Sequence, residues 1–135
     1  MNSDKKSMNF FLKMHPPTTT AQQHKVATKG KKVRFYDPPA LKDAKEKLLG
    51  YLYAHAPDKK LEGPIALEVT WYFYNEKHGE DWKVTKPDTD NLQKMLKDCM
   101  TKLSFWKDDA QVVHEVVQKR WTNNVPGIWI RLEEI

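Results

Sequence analysis

The run Lys86 to Asp109, KPDTDNLQKMLKDCMTKLSFWKDD, contains a helix together with its start and its exit. Leu92, Met95, Leu96, Cys99, Met100 and Leu103 recur at i, i+3, i+4, i+7, i+8 and i+11, the spacing that sets apolar side chains on one helix face. Pro87 disfavours helical backbone at Lys86, and Asp90 is a good N-cap whose carboxylate can accept free N–H groups of the first turn. The helix is therefore expected to start between Asp88 and Asn91. Asn91, Lys94, Asp98 and Thr101 lie on the opposite, polar face, so Lys94 projects near the carboxylates of Asp88 and Asp90. Ser104 to Asp109 reads as a turn, and Gln111 onward is rich in β-branched residues, as a strand is. If that strand runs back beside the helix start, Asp109 can join Asp88 and Asp90 in a three-carboxylate cluster.

Upstream, Met8 to Met14 reads as a first strand stopped by Pro16 and Pro17, and Lys32 to Tyr36 as a second. Thr18 to Gly30 is polar without apolar periodicity, a loop. Asp37-Pro38-Pro39 supplies a cap and a proline start for a helix on which Leu41, Ala44, Leu48, Tyr51, Leu52 and His55 share a face. His55 is read as a helix-end histidine, since no partner stands at metal-ligand spacing. Ile65 to Tyr74 alternates Ile65, Leu67, Val69, Trp71 and Phe73 on one side, the clearest strand in the chain. Asn75 to Thr85 is a charged loop containing an exposed His78. Gln111 to Trp121 and Ile128 to Leu132 are the last strands, and the Asn123-Asn124 and Pro126-Gly127 turn residues between them suggest a hairpin. The expectation is a single α/β (α+β) domain over residues 1–135, with one mixed β-sheet of about five strands packed against two main helices.

A chain of 135 residues suits one domain with a real core. Its single cysteine excludes an internal disulfide and falls on the apolar helix face, which favours a buried thiol and a reducing, cytoplasmic setting. No apolar run approaches the roughly 18 residues of a membrane span, and Met1 to Met14 lacks the features of a signal peptide. The formal net charge is +5, yet between Lys5 and Tyr36 there is no Asp or Glu. Basic side chains that displace counterions from phosphates favour a polyanion such as DNA, although a solvated basic surface has the same composition. Lys25, Lys29, Lys31, Lys32 and Arg34 are the candidate DNA contacts, on or beside a flexible basic loop around residues 16–31.

Clustered aspartate oxygens are hard donors suited to Mg²⁺, which is commonly held by a few carboxylates and substrate phosphate oxygens. Such an ion can polarise a phosphoryl group and activate water, while Lys94 would offset developing negative charge. Each feature also has a plainer reading. Asp88 and Asp90 can cap the helix and interact with its dipole, Lys94 can pair with Asp90, and Asp108-Asp109 can be an exposed turn. The two acidic pairs on one short unit, with a basic region elsewhere, favour a metal site facing a polyanion. A restriction-type PD-(D/E)xK core does not fit, because Asp81-Trp82-Lys83 precedes Pro87-Asp88, the reverse of the required order.

Lys86-Pro87-Asp88-Thr89-Asp90-Asn91-Leu92-Gln93-Lys94 and then Phe105-Trp106-Lys107-Asp108-Asp109-Ala110-Gln111-Val112-Val113 closely resemble the signature of RusA-type Holliday junction resolvases, D-x-D-N-L-x-K followed by D-D-x-Q. The resemblance extends more loosely over most of the domain. It implies a cytoplasmic, bacterial or bacteriophage, Mg²⁺-dependent endodeoxyribonuclease, with Mn²⁺ as a substitute ion, that acts as a homodimer on four-way DNA junctions in recombination and repair. On that reading Asp88, Asp90 and Asp109 bind metal and act in catalysis, Lys94 is the catalytic lysine, and Asn91 and Asp108 support them. The chain departs from some family members at Pro16 to Gln23, where they carry an arginine- and proline-containing motif, so DNA contacts there do not carry over. The alternative is a catalytically silent DNA-binding or phage-assembly protein that keeps the fold.

Overall fold

A computed structural model describes residues 5–19 and 39–135, together with the backbone of residues 25–29 and 32–36. Strand β1 is Ser7–Leu12, β2 Lys25–Lys29 and β3 Lys32–Tyr36, followed by helix α1 at Pro39–Tyr53 and β4 at Ile65–Tyr74. Helix α2 is Thr89–Lys102, a single 3-10 turn follows at Asp109–Gln111, and β5 (Val112–Thr122) and β6 (Gly127–Glu134) complete the chain. The main sheet has the order β1-β6-β4-β5, with β4 parallel to β5 and the other pairs antiparallel. An α/β domain with a mixed sheet and two helices results, as the patterning predicts.

Strand β4 lies inside the sheet between β6 and β5, with one face fully covered and the other only partly. Ile65, Leu67, Val69, Trp71 and Phe73 are buried on one side, and Thr70 on the other. Leu41, Leu48 and Leu52 of α1 and Leu92, Met95, Leu96, Cys99 and Met100 of α2 close over the same core. Burying each large side chain of this kind stabilises the fold by about 1.5–3 kcal/mol. The heptad-like spacing that identified α2 is thus the spacing of its buried face.

Three expectations change. The sheet has four strands, because β3 pairs in register with β2 (Lys25↔Tyr36 to Lys29↔Lys32) in a separate two-stranded ribbon. Part of the stretch read as a loop, residues 25–29, is therefore a strand whose ladder is made by backbone groups rather than by an apolar face. The last two strands do not form a hairpin either. Residues 123–126 carry the chain across the end of β4, and β6 inserts between β1 and β4. Stepping over one strand spans roughly 10 Å, which a four-residue link covers easily. At its start Gly127 lies so close to the Phe11 ring and the Leu12 carbonyl that a Cβ would clash with both.

Candidate active site

Helix α2 opens on Asp88, its N-cap, in extended conformation (φ −76°, ψ 151°). The backbone carbonyl of Asp88 accepts from Leu92 N–H at 3.1 Å. Its carboxylate makes no cap hydrogen bond, so capping does not consume it. Asp90, expected as the cap, lies inside the first turn and is exposed, as Lys94 is, while Asn91 is half-buried. Lys94 Nζ is 3.8 Å from Asp98 Oδ2 rather than paired with Asp90, an exposed i,i+4 contact that contributes only tenths of a kcal/mol.

Behind these groups α2 is fastened to the sheet by a polar chain. Trp71 Nε1 donates to Gln93 Oε1 at 2.8 Å, Gln93 Nε2 donates to Glu115 Oε2 at 2.7 Å, and Lys97 Nζ meets Glu115 Oε1 at 3.0 Å. Residues 82–83 run along the free edge of β5. Trp82 forms a bridge with Arg120, and Lys83 N–H donates to the Lys119 carbonyl at 3.1 Å. Lys83 is buried, its ammonium over the rings of Phe73 and Trp121 at 5.0 and 4.6 Å. Burial, then the neighbouring Lys119 charge, lower its pKa. Lys119 is lowered by burial, and the Asp88 charge partly opposes this. Sequence reasoning passed over both lysines. Their partners are mostly backbone carbonyls, which no residue-type pattern reveals.

Asp109 sits at the other end of α2. Leu103 caps the helix, and Ser104 N–H donates to Thr101 O and Phe105 N–H to Met100 O at 3.1 and 3.0 Å, a Schellman exit. Asp108 then accepts from Ala110 N–H at 3.0 Å, and Gln111 Oε1 accepts from the N–H groups of Lys107 and Asp108 at 2.8 and 3.0 Å. Gln111 Nε2 ties this turn to the carbonyls of Leu61 and Gly63, both at 3.1 Å. The D-D-x-Q element is thus a capping box that occupies Asp108 and Gln111 and leaves the Asp109 side chain outside it. Asp109, half-buried, instead borders a cleft of about 440 Å³ with Asp98, Cys99, Thr101 and Lys102. Cys99 is the buried thiol expected, its pKa pushed up to about 11 chiefly by burial.

Strand β5 does run back beside α2. Glu115 meets Gln93 and Lys97, and Lys119 reaches the Pro87 carbonyl. Asp109, however, precedes the strand and stays where α2 ends, and the 14 residues of α2 rise about 21 Å. Among the described residues no group of three His, Cys, Asp or Glu side chains is placed to hold a metal ion. The three-carboxylate cluster therefore does not form within one chain, and the donor set for Mg²⁺ is incomplete there. Of the basic candidates, Lys25, Lys29, Lys32 and Arg34 lie on β2 and β3, with Lys29 opposite Lys32 and Ala27 opposite Arg34. Lys31 lies outside the described residues. His55 stacks on Phe10 with ring centroids 4.3 Å apart, a packing role. No helix among the described residues is long and apolar enough to cross a membrane.

Comparison with known proteins gives the class. The family described as Endodeoxyribonuclease RusA matches residues 15–133. The crossover junction endodeoxyribonuclease rusA of Lactococcus phage r1t is 37% identical over 101 residues, covering 72% of this chain and 75% of that protein. The uncharacterized protein YqaN of Bacillus subtilis (strain 168) is 29% identical over 117 residues, 77% of this chain and 81% of its own length. The class is thus a DNA-cutting nuclease. The chain belongs to the RusA endodeoxyribonuclease family.

Proposed function

We propose that this protein is a divalent-metal-dependent, homodimeric endonuclease that resolves four-way DNA junctions by paired nicks during recombination and repair, in the cytoplasm of a bacterial cell. The observation that carries the reading is the Asp88/Asp90 pair at the start of α2, with a carboxylate at Asp88 that capping leaves free. The phage relative named as a crossover junction endodeoxyribonuclease supports the substrate. Asp88 and Asp90 are the metal-binding pair, and Lys94 is the lysine that offsets charge at the scissile phosphate. Because Asp109 stands at the opposite helix end, the reading supplies the third carboxylate as Asp109 of the partner subunit. A two-fold axis then gives two equivalent sites, as paired nicks require. Asn91 and Asp108 support these groups, and the basic residues Lys25, Lys29, Lys31, Lys32 and Arg34 contact the DNA backbone.

Asp90→Asn should abolish Mg²⁺- or Mn²⁺-dependent nicking of a synthetic four-way junction while retaining junction binding. Cleavage at the wild-type rate would refute the assignment. A second reading, a catalytically silent DNA-binding or phage-assembly protein, is favoured by the incomplete donor set within one chain. Wild-type protein that binds junctions with a steep salt dependence but never nicks them, with either ion supplied, would establish it.

A further inference from the structure

The loop that delivers Asp88 to the start of α2 is held from beneath by two ammonium groups. Lys83 Nζ donates to Thr85 Oγ1 at 2.6 Å, to Thr85 O at 3.2 Å and to Lys86 O at 2.5 Å. Lys119 Nζ donates to Thr85 O and Pro87 O, both at 2.7 Å. Three successive carbonyls, those of the residues immediately before Asp88, are thereby turned inward.

A surface turn needs no such arrangement. Thr85 and Lys86 are exposed, and water would satisfy their carbonyls without cost. Instead the fold buries Lys83 and sets Lys119 beside it, accepting partial desolvation of both cations and the repulsion between them. Both lysines are anchored in the sheet. Lys119 belongs to β5, and Lys83 is joined to it through the backbone hydrogen bond at 3.1 Å and seated between Phe73 and Trp121. The loop is thus tied to β5 of the main sheet, and Asp88 is the first residue past the tie.

We propose that Lys83 and Lys119 are positioning residues that clamp the Thr85–Pro87 carbonyls and so fix the Asp88 carboxylate for its metal ion. The inference rests on the metal-dependent nuclease reading and assigns no proton transfer to either lysine. Partners that orient metal ligands typically contribute about 10- to 100-fold to metal affinity or activity when removed.

The test uses the full-length protein with Lys119→Met and Lys83→Met, which keep an unbranched stem one atom shorter and remove the donors, and Lys119→Arg as the conservative variant. Expected for Lys119→Met is a rise of about 10- to 100-fold in the Mn²⁺ concentration that half-saturates junction cleavage, with cleavage recovering at saturating Mn²⁺. Metal-free junction binding stays unchanged, amide hydrogen exchange at residues 88–91 is faster, and Lys119→Arg restores part of the loss. If Lys83→Met does not fold, Lys119→Met carries the test. A wild-type Mn²⁺ requirement together with wild-type exchange would overturn the clamp, as would a loss of rate that extra Mn²⁺ never restores. Should the wild-type protein bind Mn²⁺ without nicking, the nuclease reading fails. Mn²⁺ affinity and exchange at residues 88–91 in Lys119→Met then decide the clamp by themselves.

Discussion

Gln93 shows how a residue can look incidental in sequence and yet hold the site together. It falls inside the D-x-D-N-L-x-K motif, and its amide is buried, accepting from the Trp71 indole and donating to Glu115. The indole belongs to the central strand and is fully buried, so its N–H has no access to water. Gln93→Leu replaces the amide with an apolar side chain and orphans that donor, and it should lower stability by about 1–3 kcal/mol, measured by urea unfolding. A loss below about 0.5 kcal/mol would mean that the indole finds another acceptor. The apolar residues of α2 were legible because they repeat at the helical period. Gln93 was not, since its partners lie 22 positions away in either direction. Lys83 was visible only as the last letter of a misplaced D-x-K, and Lys119 as one more basic residue in a strand. The N-cap was ambiguous for a local reason: Asp88 and Asp90 both suit a helix start, and the chain uses Asp88.

Among the elements, α2 and its exit were read most fully from sequence. The helix, the turn after it and the β-branched strand beyond all stand where the periodicity and the turn residues put them. The exit also contains a compromise. Ser104 occupies the left-handed position of the Schellman motif at φ 63°, where glycine is the usual residue, while Met100 and Phe105 on either side of it are both fully buried. Ser104→Gly should therefore stabilise the protein by about 0.5–1 kcal/mol in urea unfolding, net of glycine's extra freedom in the unfolded chain. Unchanged or reduced stability would show that the serine is not strained there. The ribbon formed by β2 and β3 escaped notice because nothing in residues 25–29 alternates. A two-stranded ladder depends on backbone pairing, and that leaves no mark in hydropathy. The pairing of β6 was missed for a related reason, since turn residues state that the chain reverses but not which strand it returns to.

At the scale of the whole molecule, the decisive quantity is the distance between the two ends of α2. Spacing in sequence placed all three carboxylates on one short unit, and that much is correct. What spacing cannot express is that a helix separates its ends by its own length, so Asp109 is carried away from Asp88 and Asp90 unless a second chain brings its own copy. This makes the proposed dimer testable without structural work. Mixing Asp90→Asn chains with Asp109→Asn chains, each inactive alone, should restore nicking if each site combines Asp88 and Asp90 of one chain with Asp109 of the partner subunit. Only mixed dimers regain a site, and each regains one of two. Random association of equal amounts therefore predicts about a quarter of the wild-type nicking sites, with single-nicked junctions accumulating in place of resolved duplexes. In mixed dimers whose sites each draw on a single chain, one site lacks Asp90 and the other lacks Asp109, so the mixture stays as inactive as its parts. That outcome would demand a contact between Asp109 and the start of α2 which the folded chain does not make.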